Sequence, residues 1–103
     1  MRMELTLVTE FGLQLADGER AANFRMTRIE PYLEMCEQIV LDFSGVRSAN
    51  SSFVNALVSG VVEQHGAVVL KKMTFKGCNP VIRVLVEAAI SLGLRKTAGR
   101  VDA

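Results

Sequence analysis

Ile39-Val40-Leu41-Asp42-Phe43-Ser44-Gly45-Val46, followed by Asn50-Ser51-Ser52-Phe53-Val54-Asn55-Ala56-Leu57, is the stretch that decides the fold. Residues 39–43 are a short apolar run with one acid near its end, the pattern of a central strand covered on both faces. Ser44 to Asn50 is a polar loop containing Gly45. A helix starts around Ser51, because Val54, Leu57, Val58 and Val61 fall at i, i+3, i+4 and i+7. Gly66 follows the last periodic residue and stops it.

The rest of the chain alternates strand and helix on either side, with no internal repeat. Met3, Leu5 and Leu7 alternate with Glu4, Thr6 and Val8, which predicts a half-buried strand. Thr9 to Gly12 can turn that strand, with Leu13 and Leu15 returning as the second arm of a hairpin. Asp17-Gly18 breaks the strand, and from Glu19 the spacing of Ala21, Phe24, Ile29 and Leu33 is helical. Pro31 either kinks that helix or restarts it from a first turn. Downstream, Ala67 to Leu70 with Met73 and Phe75 predicts another strand. Asn79 as cap and Pro80 at the first helical position open a last helix. Its stripe is Val81, Val84, Leu85, Ala88 and Leu92, and Gly93 ends it. Alternation of this kind defines an α/β layered domain, with a mostly parallel or mixed sheet of about four strands and about three helices. Residues 1–95 form the domain and 96–103 a frayed tail.

Composition narrows the function. The chain has 103 residues, half of them hydrophobic, and twelve basic side chains against eleven acidic ones. Nothing in that balance supplies the basic stripe that nucleic acid demands. No apolar run reaches the ~20 residues that span a bilayer, and the amino terminus lacks the form of a signal peptide. The expected location is therefore cytoplasmic. Two cysteines, Cys36 and Cys78, are too few for a disulfide framework. One histidine and no paired cysteines leave no structural zinc site, and no cofactor is indicated.

If the strands ending at Phe43 and near Phe75 are parallel, the loops to Ser51 and to Asn79 lie at the same sheet edge. Ligands usually bind at that edge of an α/β sheet. Two helix amino termini, each with a partial positive charge, then face it. Asn50-Ser51-Ser52 offers three capping residues where one is enough. Either these residues serve as a cap, or a serine among them accepts phosphate and brings a charge of about −2 to the helix start. Asp42 either ties the turn after its strand or joins Asn50, Ser52 and Asn79 in holding an anionic ligand.

A serine nucleophile needs a base. His65, the one histidine, lies thirteen residues beyond Ser52 along one helix, roughly 20 Å away. No Gly-x-Ser-x-Gly elbow and no Walker loop is present. The chain therefore reads as a non-enzyme, with His65 an exposed residue near a helix end. Cys78 reads as a plain loop cysteine and Cys36 as core filler.

Taken together, residues 39–46 and 50–57 resemble a bacterial STAS-like family of unknown function. That family carries a Val-Leu-Asp-Phe-x-Gly-Val strand and loop followed by a Ser-Phe helix start. Glu19-Arg20-Ala21-Ala22 with Arg25 upstream, and Phe75-x-x-Cys78-Asn79 downstream, fit the same pattern. The resemblance extends over about residues 3–95, and its specific part over 39–57.

The related anti-sigma-factor antagonists carry Asp-Ser-Ser-Gly at the equivalent loop. One of those serines is phosphorylated there by a serine kinase of the histidine-kinase-like ATPase fold. By position Ser52 matches the phosphorylated residue and Ser51 its neighbour. Asn50 stands in place of the acid and Phe53 in place of the glycine. Phe53 either anchors the helix in the core or contacts a partner.

The resemblance implies a regulatory module that binds a protein partner through Ser44, Arg47, Asn50, Ser51, Ser52 and Asn55. A nucleotide-binding module and a dimerising domain, with a symmetric interface of about 1,600 Å², are the other two readings.

Overall fold

Apolar residues at alternate positions open the chain. The computed structural model, which describes residues 1–100, builds them into strand β1 (Arg2–Thr6), with Leu5 buried and Arg2 and Glu4 exposed. The expected hairpin does not form. Leu7, Val8 and Phe11 have the spacing of a helical turn, and residues Leu7–Phe11 form helix α1 with Leu7 fully buried. Gly12, at φ +83°, closes it, and Gln14–Leu15 form β2.

Asp17 then caps helix α2 (Gly18–Phe24), its carboxylate accepting the amides of Glu19 at 3.0 Å and Arg20 at 3.2 Å. The helix runs on as a π turn (Arg25–Ile29) and a 3-10 turn (Glu30–Tyr32). Pro31 sits in the first turn of the latter, so the restart is the reading that holds.

The central strand is β3 (Gln38–Asp42), and β4 is the two-residue Ser48–Ala49. Helix α3 (Ser51–Val54), a π turn (Asn55–Ser59) and α4 (Gly60–His65) make one continuous rod. Val54, Leu57, Val58 and Val61 are all buried in it, and Gly66 at φ +82° ends it, as their spacing predicts.

The expected strand at 67–70 is instead a 3-10 turn (Ala67–Lys71), and β5 is confined to Met73–Lys76. Pairing explains this. Met73 stands opposite Ile39 and the Lys72 carbonyl accepts the Ile39 amide at 2.7 Å, so residues 67–71 precede the register of β3. Only Val69 of the turn is buried.

The main sheet has the order β1-β3-β5 and is parallel throughout; β2 and β4 form a second, two-stranded parallel sheet. The described residues thus form an α/β layered domain, with five strands divided between two sheets. Leu5, Ile39, Leu41 and Met73 alternate onto one face of the main sheet and join the helices in a single core.

Val40 points the other way. It is buried yet lies outside that core. Its cover comes from side chains of the flanking strands: Lys76 Nζ reaches Glu4 across β3 at 3.4 Å, and Gln38 bonds Thr74. The second face of β3 is therefore roofed by its neighbours' side chains.

Helix α5 (Pro80–Arg100) departs from expectation in two ways. Its buried apolar side chains, among the described residues, are Ile82, Val86 and Ala89, while Val81 and Val84 are 66% and 64% exposed. It also runs through Gly93. A Cβ there would stand 2.8 Å from Val62 Cβ and 2.9 Å from the Ser59 carbonyl oxygen, so this glycine allows close helix packing. Of the expected tail, residues 96–100 are helical, and residues 101–103 lie outside the described residues. Among the described residues no helix is long and apolar enough to cross a membrane.

Candidate functional site

Because β3 and β5 are parallel, the loops that follow them do leave the same edge of the sheet. Backbone bonds stitch the two together, with the Phe43 amide on the Lys76 carbonyl at 2.8 Å. The Asp42 carboxylate folds back to accept the Ser44 amide at 2.9 Å. Bonds from the Ser44 side chain and amide, with help from the Lys76 charge, hold the Asp42 pKa below its ordinary 3.8 against a smaller effect of burial.

Gly77 completes the turn. At φ +73° it is strained for any side chain, and a Cβ there would lie 2.7 Å from the Ser44 nitrogen. Asn79 caps α5 through the Ile82 amide at 2.9 Å and donates to the Arg47 carbonyl at 3.2 Å. Asp42, Ser44, Arg47 and Asn79 are thus brought into one cluster, with Ser44 and Arg47 exposed.

The second cluster is the start of the α3 rod. Asn50 is its cap: the side-chain oxygen accepts the Phe53 amide at 2.8 Å, and the side-chain nitrogen donates to the Ala16 carbonyl at 3.0 Å. The Asn50 backbone amide also bonds the Leu15 carbonyl at 2.9 Å. One residue therefore does the capping, and it is the asparagine. Ser51 and Ser52 remain exposed, and Asn55 is half-buried one turn further on. Ser52 Oγ lies against Gly18 at the start of α2, where a Cβ would approach it to 2.6 Å. Phe53 is fully buried and packs edge-on against the Phe11 ring at 4.9 Å, so it anchors the rod in the core.

As an anion-binding set, Asp42, Asn50, Ser52 and Asn79 are unequal. Both ends of each asparagine amide are bonded within the fold, and the Asp42 carboxylate is occupied by Ser44. Ser52 alone presents a side chain without a hydrogen bond among the described residues. Cys78 is half-buried and unpaired, and burial, opposed by nearby Arg83, raises its thiol pKa. That thiol stays protonated at neutral pH, the state of a plain loop cysteine.

A further group was not legible in the sequence. The π turn Asn55–Ser59 sends the Gly60 amide to the Asn55 carbonyl, and Arg25 Nη1 donates to the Ala56 carbonyl at 2.8 Å. Gly60 leaves the space that the guanidinium fills. Glu30 completes the group, with Oε2 3.5 Å from Arg25 Nε and 3.1 Å from His65 Nε2. This arrangement braces the rod that carries the serines. Nothing in residue spacing announces a π turn, although Arg25 falls within the pattern of the resemblance.

A parallel α/β domain with a capped helix start and two exposed serines at its sheet edge defines a small STAS-like module. Residues 20–83, more than half of the chain, match the family described as STAS-like domain of unknown function (DUF4325), and the chain belongs to that family. No curated protein and no solved structure matches it.

Proposed function

We propose that this protein is a non-enzymatic regulatory module that binds a protein partner through the 44–57 loop and helix start, and that phosphorylation of Ser52, or of its neighbour Ser51, switches the contact. The observation that carries this reading is the division of labour at the helix start. Asn50 caps the helix with its own amide, so neither serine is needed as the cap, and both serines are exposed residues. A phosphate there adds about −2 charge to a surface otherwise set by Ser44, Arg47 and Asn55. It changes that surface without unfolding the helix, whose amino terminus favours negative charge.

The resemblance to anti-sigma-factor antagonists supports the same assignment, with Ser52 at the modified position and a serine kinase of the histidine-kinase-like ATPase fold as partner. The ligand-binding alternative has less support, because three of its four side chains are already bonded within the fold.

The test is partner retention. Wild-type protein, Ser52→Ala, Ser52→Glu and the double variant Ser51→Ala/Ser52→Ala are each used to isolate interacting proteins from the source cells. The expected result is a partner held by wild type and Ser52→Ala and released by Ser52→Glu, or the reverse. A verified partner bound equally by all four forms contradicts the switch.

A further inference from the structure

We infer that the outer edge of β5 is a docking edge for a strand of another protein, an extended segment in which apolar and acidic residues alternate. The inference does not rest on the serine switch.

β5 is the last strand of the β1-β3-β5 sheet, and among the described residues it pairs with β3 alone. The Ile39 amide bonds the Lys72 carbonyl at 2.7 Å, and the Phe43 amide bonds the Lys76 carbonyl at 2.8 Å. Alternate residues of a paired strand turn their backbone groups to the same side. Lys72, Thr74 and Lys76 therefore face β3, while Met73 and Phe75 direct their amides and carbonyls away from it. Those outward groups have no backbone partner among the described residues. Such a row of open donors and acceptors is a template for an added strand.

A cleft of about 170 Å³ lies beside this edge, between Phe75 and Cys78 on one side and Val86 and Ile90 of α5 on the other. No residue of β1 or β3 lines it, so it opens on the outer side of β5. Phe75 stands opposite Leu41, on the face of the sheet that the helices cover. A strand added to β5 places the residue beside Phe75 on that same face, at the cleft. An aliphatic side chain suits the apolar walls. Arg83 and Glu87 also line the cleft, one helical turn apart, and their charges offset each other.

Charge selects the rest of the occupant. Side chains alternate across a strand, so the residues flanking the apolar one lie on the opposite face, beside Thr74 and Lys76. Lys76 is exposed, Lys71 and Lys72 precede the strand, and no acid occurs between residues 71 and 76. An acidic side chain there meets Lys76 from the side opposite Glu4, which already reaches it across β3 at 3.4 Å. A second copy paired through the same edge would instead gather three lysines from each chain along one seam, which like charges oppose.

The probe is a fluorescein-labelled synthetic peptide of alternating valine and glutamate. It is titrated into the full chain and followed by anisotropy, with amide hydrogen exchange read residue by residue. Saturable binding is expected, with slowed exchange at Met73 and Phe75. The same peptide N-methylated at every residue keeps its charge and side chains but loses its backbone donors, and is expected not to bind. Lysine in place of the peptide's glutamates, or Lys76→Glu in a chain verified as folded by circular dichroism, is expected to weaken binding about tenfold. No saturation by about 1 mM peptide overturns the inference. So does equal binding of the methylated peptide, unchanged exchange at Met73 and Phe75, or affinity that neither charge exchange alters. Exchange at those two amides that slows with protein concentration alone overturns it as well, and assigns the edge to a second copy.

Discussion

Asn50 bonds the Phe53 amide at 2.8 Å and so relieves the two serines between them of any capping duty. The same side chain reaches back to Ala16 at 3.0 Å, tying the rod that begins at Ser51 to the segment before α2. The structural work and the exposed hydroxyls are thus separated within three consecutive residues.

That separation has a direct consequence for stability. Asn50→Ala is expected to cost about 1–2 kcal/mol, because it removes a cap and leaves the Ala16 carbonyl without its donor. Ser51→Ala and Ser52→Ala should each fall within about 0.5 kcal/mol of wild type, as surface changes usually do. Denaturant melts of the three variants check this. A serine variant that costs as much as Asn50→Ala would return the capping role to the serines.

Arg25 and Gly60 are coupled. A Cβ on Gly60 collides with the Arg25 guanidinium, which must then give up its bond to Ala56. Gly60→Ala is therefore expected to destabilise the protein by about 1–3 kcal/mol, despite the better helix propensity of alanine. In an Arg25→Ala background the collision is gone, and the same change should be neutral or stabilising by up to about 1 kcal/mol. A double-mutant cycle measures the difference, and additivity of the two changes would exclude the contact.

Asp42 makes stability depend on acid. Ser44 holds its folded pKa below the ordinary 3.8. The unfolded chain therefore binds the proton more readily than the folded one. The contribution is fully present above pH 3.8 and is lost as pH falls through the lower, folded value. Asp42→Asn should flatten the stability profile below about pH 4 and leave its slope at neutral pH unchanged. Parallel melts from pH 2 to 7 decide it, and an equally steep acid limb in the variant would count against the Ser44 contacts.

The Glu4–Lys76 pair over Val40 is partly exposed, so its strength is modest and salt-sensitive. Glu4→Gln is expected to cost at most about 1 kcal/mol at low salt, and less at 1 M salt, where charges are screened within roughly 3 Å. Melts at the two ionic strengths give the comparison. A penalty independent of salt would mean that Glu4 acts through packing alone.

Much of this architecture is legible in the residues. The run 39–43, the stripe from Val54 to Val61, Gly66 and the Asn79-Pro80 helix start each match a structural rule that acts locally, and the parallel edge follows from their order. What escapes is tertiary. Leu7 and Phe11 belong to a helical turn, and β1 takes its partner from the distant β3 rather than from the residues that follow it. Residues 67–71 are too early to meet β3. Val81, Val84, Leu85 and Ala88 have helical spacing, but so do Ile82, Val86 and Ala89, and periodicity cannot choose between two apolar stripes on one helix. At the site, the cap and the serines are written in adjacent positions. Arg25, Glu30 and His65, by contrast, meet only through two π turns that no spacing encodes.

The most direct measurement of the central claim is the intact mass of the protein isolated from its source cells, with fragmentation to place any added group. The account predicts the mass of one phosphate, about 80 Da by general chemistry, on Ser52 or Ser51 in a fraction of the molecules that changes with growth or stress conditions. A chain that carries no phosphate in any condition, or carries it only at another residue, would contradict the switch and leave the exposed serines as part of a constitutive surface.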